Sequence, residues 1–261
     1  MLLSLLLAIE ASLGFSGVGF AQEENVVINE ENKIKNDTLS GKPNCVNYGT
    51  IETDGNNRRG MYVTGEDHYA SNFGKVITHG HYAYGIYAYD GSTANNWGSI
   101  TTGKEADSTN NYGTYAYGIY AEANSTAINQ SGGAITTYGF RAYGMSAKDA
   151  NSTAINQSGG AITTYGKEAH GMYAYNNSMA TNENGGTITT LGYRAYGMST
   201  DGSIATNSGN ITTHGEEAHG MYAKGVYNST NKAWHDSTVT NESGGTITTL
   251  GYRAYGMSTD G

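Results

Sequence analysis

The chain has 261 residues, a net charge of −9, 38 Gly, 22 Tyr, one Pro and one Cys. An acidic balance with no basic stripe excludes a phosphate backbone as partner, so no nucleic acid is expected. The lone Cys45 rules out an internal disulfide and a paired-cysteine metal site, and glycine without a G-X-Y period rules out collagen.

Residues 1–21, MLLSLLLAIEASLGFSGVGFA, hold an apolar run that ends in small residues at Gly19 and Ala21. The pattern predicts a signal peptide cleaved before Gln22, N-terminally incomplete because no Lys or Arg precedes the run. The uninterrupted apolar stretch is shorter than a membrane span needs. Residues 22–48 are charged and lack the pattern that follows, so they read as a lead segment or N-terminal cap, with Cys45 a buried and inert thiol.

From residue 49 to 261 one pattern, close to G-x-I-T-T-x-G-x-x-A-x-G-M/I-x-A, recurs eight times. Its Ile column is Ile51, Ile77, Ile100, Ile135, Ile162, Ile188, Ile211 and Ile247, at successive spacings of 26, 23, 35, 27, 26, 23 and 36 residues. The string GGTITTLGYRAYGMSTDG occupies 185–202 and returns unchanged at 244–261. Periods of this length mark a solenoid.

Within the unit Gly160–Asn182, three segments read as short strands. Ala161-Ile162-Thr163-Thr164 is β-branched and bounded by glycines; Met172 and Ala174 alternate inward in the second; Ser178 to Asn182 alternates again. The Asn that closes the third segment recurs at Asn95, Asn129, Asn156, Asn182, Asn207 and Asn241, as expected of a corner residue tolerant of left-handed geometry. Three short strands per 23–27 residues predict an all-β chain, a parallel β-helix or β-solenoid of about eight coils. The additional residues near 108–114 and 224–236 are predicted to leave the wall as loops.

Two outward columns support the stacking. The position before the second-strand Ala carries Glu105, Arg141, Glu168, Arg194, Glu217 and Arg253, so charge alternates from rung to rung as a structural ladder. The position before the second-strand Gly carries Tyr84, Tyr117, Tyr143, His170, Tyr196, His219 and Tyr255.

Catalytic and metal-binding patterns are missing from the sequence: no H-E-x-x-H, no G-x-S-x-G, no Walker loop and no calcium nonapeptide occurs. His79 and His214 share a column with Leu191 and Leu250, which ligands would not do. No catalytic, metal or cofactor residue is therefore expected. The candidate contact residues lie in the insertions: Asn110, Tyr112, Tyr115, Tyr227, Trp234 and His235.

The repeated I-T-T-x-G and A-x-G-M/I-Y-A strings behind an export signal resemble the passenger region of Gram-negative autotransporter adhesins. That resemblance implies a right-handed parallel β-helix at the cell surface, a C-terminal β-barrel translocator in the full-length protein, and a repeat domain at 49–261 truncated at its C-terminus. It further implies a non-enzymatic stalk or adhesin, exported to the outer membrane or beyond, whose partners are ligands on host cells, bacteria or matrix. The alternatives are a polysaccharide-acting β-helix lyase or hydrolase, which needs clustered wall carboxylates, and an ice-binding solenoid that uses the outward Thr column.

Overall fold

A computed structural model describes residues 26–29, 33–35, 39–40, 44–104, 113–228 and 233–260. It is an all-β solenoid of three parallel sheets, each with nine strands, so every rung contributes three strands. One rung shows the order: Thr153–Asn156 in the first sheet, Ala161–Thr164 in the second and Met172–Tyr175 in the third. Each strand pairs in register with its counterpart one rung on, as Ile135 with Ile162 and Ile162 with Ile188. Among the described residues no helix is long and apolar enough to cross a membrane. The expected signal peptide lies outside the described residues.

The solenoid begins earlier than residue 49. Val26–Asn29, Lys33–Lys35 and Leu39–Ser40 pair with Asn44–Asn47, Thr50–Thr53 and Met61–Thr64. The segment read as a lead or cap thus carries a whole first rung, and the sheets have nine strands where about eight coils were expected. Its residues depart from the repeat consensus, yet backbone pairing with the next rung needs only extended geometry and one inward residue per strand.

Strands of four residues alternate inward and outward, so each contributes two inward side chains. Ile51, Ile100, Ile135, Ile162, Ile188 and Ile211 are fully buried in the second sheet, and Ile247 packs partly buried against them in the last described rung. Ile77 is not in this row. Val76 aligns with Ile51 and Ile100 and is buried, while Ile77 aligns with Glu52 and Thr101.

The register at that rung is set by the second Thr of I-T-T, which also faces inward. Thr78, Thr102, Thr137, Thr164, Thr190 and Thr213 are buried, and each hydroxyl donates at 2.5 to 2.6 Å to the carbonyl of the Ala beginning the next segment, Ala83, Ala116, Ala142, Ala169, Ala195 and Ala218. Thr78 can make this bond only if Val76 points inward. The hydroxyl tether therefore outranks the larger apolar surface of Ile77.

The first sheet holds the second buried polar row. Asn29, Asn47, Asn72, Asn96, Asn129, Asn156, Asn182 and Asn207 are buried, and with Asn241 they form one uninterrupted ladder. Each Nδ2 donates to Oδ1 of the next Asn at 2.7 to 2.8 Å. Several also donate to a nearby carbonyl, as Asn156 does to Gly160 at 3.2 Å. The column uses Asn96, not Asn95, and these residues are strand ends facing inward, not left-handed corners. The left-handed positions are elsewhere, notably Tyr82, Tyr115, Arg141, Glu168, Arg194, Glu217 and Arg253, with φ between 51 and 55°.

The third sheet closes the core with Met61, Ile86, Ile119, Met145, Met172, Met198 and Met221. The glycine before this strand is a close-approach position. A Cβ on Gly171 would strike the Cγ2 of Ile188 and lie 2.6 Å from the Gly197 carbonyl oxygen, so no larger residue fits without moving the next rung.

In the insertion at 224–236, expected as a loop, Val226–Asn228 and Ala233–His235 pair as antiparallel strands. Most of the other insertion, residues 105–112, lies outside the described residues.

Two stability changes follow. Asn156→Leu strands the amide of Asn129 and the carbonyl of Asn182 in the core and is expected to cost about 2–4 kcal/mol in denaturant unfolding, against about 0.5 kcal/mol or less for Asn95→Leu. Thr200 occupies the inward position held by Ala174 and Ala223 in adjoining rungs, and its buried hydroxyl has no partner. Thr200→Ala is expected to stabilise the chain by about 1 kcal/mol by the same measurement.

Candidate binding groove

The outer surface of the third sheet and its preceding turn is the most chemically varied part of the molecule. Two aromatic rows run along it. The inner row comes from the position before the close-packed glycine: Tyr84, Tyr117, Tyr143, His170, Tyr196, His219 and Tyr255. Successive ring centroids lie 5.2, 4.8, 5.1, 4.7, 5.1 and 5.1 Å apart, most of them face to face. Strand pairing places equivalent residues one rung apart, about 4.8 Å, so a flat side chain at this position stacks on its neighbour.

Histidine alternates with tyrosine in the later rungs because it offers both a flat ring and an acceptor. His170 Nδ1 accepts from the Tyr196 backbone N–H at 3.0 Å, and His219 Nδ1 accepts likewise from Tyr255. Burial disfavours the charged imidazole, and with help from nearby Arg141 it lowers the titration of His170 from 6.5 to about 3. His170 is a neutral stacking element, not a cation.

The outer row comes from the second residue of each third-sheet strand, as Tyr87, Tyr120 and Tyr173. Tyr hydroxyls here donate to carboxylates one rung on: Tyr87 to Glu122 at 2.7 Å and Tyr173 to Asp201 at 2.9 Å. Burial works against ionisation of Glu122, but hydrogen bonds from Lys148 and Tyr87 outweigh it and hold the carboxyl below its usual range. The same burial and the neighbouring carboxylates raise the phenols of Tyr87 and Tyr173, so these hydroxyls remain donors.

The charged column forms the opposite rim. Arg141 pairs with Glu168 at 2.7 Å and Arg194 with Glu217 at 2.5 Å, each arginine reaching one rung forward. Arg253 holds the equivalent left-handed position in the last rung. Glu105 lies outside the described residues, and the position it was expected to fill belongs to Tyr115. Tyr115 directly precedes Ala116, has the left-handed φ of the column, stacks on Tyr82 at 5.2 Å and accepts from Arg141 at 3.0 Å. The inserted residues thus enter before Gly113, upstream of the turn, which leaves the turn itself intact.

Among the predicted contact residues, Asn110 and Tyr112 lie outside the described residues. Tyr115 belongs to the wall. Tyr227 and Trp234 are register partners in the antiparallel pair, and His235 ends it, with its Nε2 buried and without a partner.

A groove of about 490 Å³ is lined by residues of both aromatic rows and the charged rim, among them His170, Tyr173, Tyr196, Ser199, Asp201 and Tyr222. In the sequence its parts belong to separate columns, with nothing that unites them. The signal available was the alternation of Tyr and Ser in the M-Y-A and M-S-A/T strings. Among the described residues no group of His, Cys, Asp and Glu is arranged to hold a metal.

A family model described as the BigA third pectate lyase-like domain matches twice, over residues 69–179 and over 151–261. The chain belongs to this family. Each match begins at the edge of a first-sheet strand and takes in four rungs, so the BigA-type domain is recognised here through the repeating rung. No curated protein and no solved structure matches the chain.

His170 gives the groove a pH signature. Above pH 6.5 the imidazole is neutral both folded and unfolded; between 6.5 and about 3 only the unfolded chain binds the proton, so stability falls as pH is lowered across that window. His170→Tyr, which repeats the residue at its neighbouring rungs, is expected to reduce the drop in melting temperature between pH 7 and pH 4, leaving the smaller share from His219. Thermal melts of the two proteins across that range check this.

Proposed function

We propose that the chain is the non-enzymatic, surface-exposed passenger of a Gram-negative autotransporter, a stalk or adhesin that makes contact through the outer wall of its third sheet. The observation that carries this reading is the state of the charged groups beside the groove. Arg141 and Arg194 are held by Glu168 and Glu217, and Asp201 accepts a hydrogen bond from the Tyr173 hydroxyl. A lyase or hydrolase needs a base placed within reach of the substrate proton. Here both arginines and their two glutamates are paired along the wall.

The architecture supports the same reading. Nine rungs at about 4.8 Å make a rod of roughly 43 Å, whose length scales with repeat number and whose sides present periodic surface. Membership in a pectate lyase-like family accords with a β-helix scaffold, and scaffold and activity are separable. Localisation at the cell surface and a translocator barrel in the full-length protein are parts of this proposal.

The purified chain is expected to bind host-cell, bacterial or matrix surfaces in a solid-phase assay and to show no turnover of acidic glycans. Turnover of polygalacturonate that disappears in the Glu168→Gln or Asp201→Asn variants would overturn the non-enzymatic reading. Failure to bind any of the three surface types would overturn the adhesive one.

A further inference from the structure

The outer aromatic row is not uniform. In register along the third sheet it reads Tyr62, Tyr87, Tyr120, Ser146, Tyr173, Ser199, Tyr222 and Ser258. In the early rungs the rings contact one another, Tyr62 with Tyr87 at 5.5 Å and Tyr87 with Tyr120 at 5.2 Å. From Ser146 onward every second ring is missing. Tyr173 and Tyr222 therefore have no ring beside them in their own row and lean on the inner one, Tyr173 against Tyr143 at 4.8 Å and 48°, Tyr222 against Tyr196 at 4.7 Å and 38°.

The hollows of this wall coincide with the missing rings. The groove of about 490 Å³ runs past Ser199 between Tyr173 and Tyr222, and a smaller one of about 250 Å³ runs past Ser146 between Tyr120 and Tyr173. Two rungs separate Tyr173 from Tyr222, ~9.6 Å, about twice the distance at which the chain stacks its own rings. Along the strands, that interval equals the spacing of two rings with a third stacked between them.

The chemistry around the interval selects the kind of ring. Its flanks are aromatic, its floor is the buried Ser199, and its edge carries a carboxylate at Asp201 and an ammonium at Lys224. Asp201 and Lys224 are register partners of opposite charge, and the rim arginines are engaged with carboxylates, so no excess of free cations awaits a polyanion. A pyranose matches this surface, with apolar C–H faces and an equator of hydroxyls that both donate and accept.

We propose that the groove binds a pyranose ring of a neutral glycan between Tyr173 and Tyr222, seated over Ser199 with its hydroxyls met by Asp201 and Lys224. The assignment rests on the surface-contact reading and names its ligand class. The hollow at Ser146, two rungs away, supplies a second subsite on the same axis.

The test titrates the full chain with a panel of neutral hexasaccharides built from glucose, mannose, galactose and N-acetylhexosamine, followed by calorimetry and ligand-observed NMR. A heparin hexasaccharide and a tyrosine-rich peptide serve as the other ligand classes. Ser199→Tyr completes the outer row with the residue the row already uses, and is expected to weaken neutral-glycan binding at least tenfold without lowering the melting temperature. Tyr222→Ser removes one platform by a residue also native to the row, and is expected to weaken it at least fivefold.

Absence of binding to every neutral hexasaccharide, equal affinity in both variants, or binding confined to heparin or the peptide would overturn the proposal. A chain that adheres to cell or matrix surfaces yet binds no neutral glycan would sink the ligand assignment alone. One that binds glycan but no surface would sink the adhesive reading alone.

Discussion

In-register pairing of each rung with the next is the constraint on which the rest of this molecule depends, and the asparagine ladder is its strictest expression. A buried primary amide has two donors and an acceptor that need partners within the core. Asn156 meets those needs only when Asn129 and Asn182 sit directly below and above it. A shift of one residue in any strand would turn the amide out of the core and expose every side chain that should face inward. The ladder therefore converts a generic tendency of extended segments to pair into one permitted alignment.

The remaining rows follow from that alignment. Ile and Met columns fuse into a narrow apolar core, the buried Thr hydroxyls tie the second sheet to the following turn, and the close-packed glycines let the third sheet approach the Ile of the next rung. Insertions are tolerated where the chain leaves the wall and returns to it at the same height. The insertion that holds Val226–Asn228 and Ala233–His235 does this without disturbing the pairing of Met221–Lys224 with Met257–Asp260. A core this thin offers no room for an internal active site, which directs any chemistry to the outer surface.

On that surface the same period that builds the core aligns side chains whose identities are free to vary. Repetition of one flat residue produces a stack, alternation of Arg and Glu produces neighbouring ion pairs, and alternation of Tyr with Ser produces gaps. The groove is a product of these superposed periods, not of a dedicated loop. This also explains why a family model finds the chain by its rungs while the property that distinguishes one solenoid from another resides in which outward residue is placed at each rung.

The amino-acid sequence by itself determined the class of fold, since an apolar residue every 23–36 positions, flanked by β-branched and glycine residues, has few ways to be buried other than by stacking. It also exposed both outward columns, because their members occupy a constant place relative to the A-x-G string. What it could not decide was which of two adjacent candidates faces inward, as at Val76 and Ile77 or Asn95 and Asn96. That choice is made by partners a rung away, the Ala83 carbonyl for Thr78 and the Asn72 and Asn129 amides for Asn96. Nor could it show that Tyr115 takes the place expected for Glu105 in the charged column, or that Val26–Asn29, Lys33–Lys35 and Leu39–Ser40 are already strands, because those assignments depend on backbone pairing and left-handed turns that leave little trace in side-chain identity. The groove itself arises only when rungs are set side by side, for its walls are residues 49 positions apart in the chain, Tyr173 and Tyr222, that the rise of the solenoid brings two strands apart.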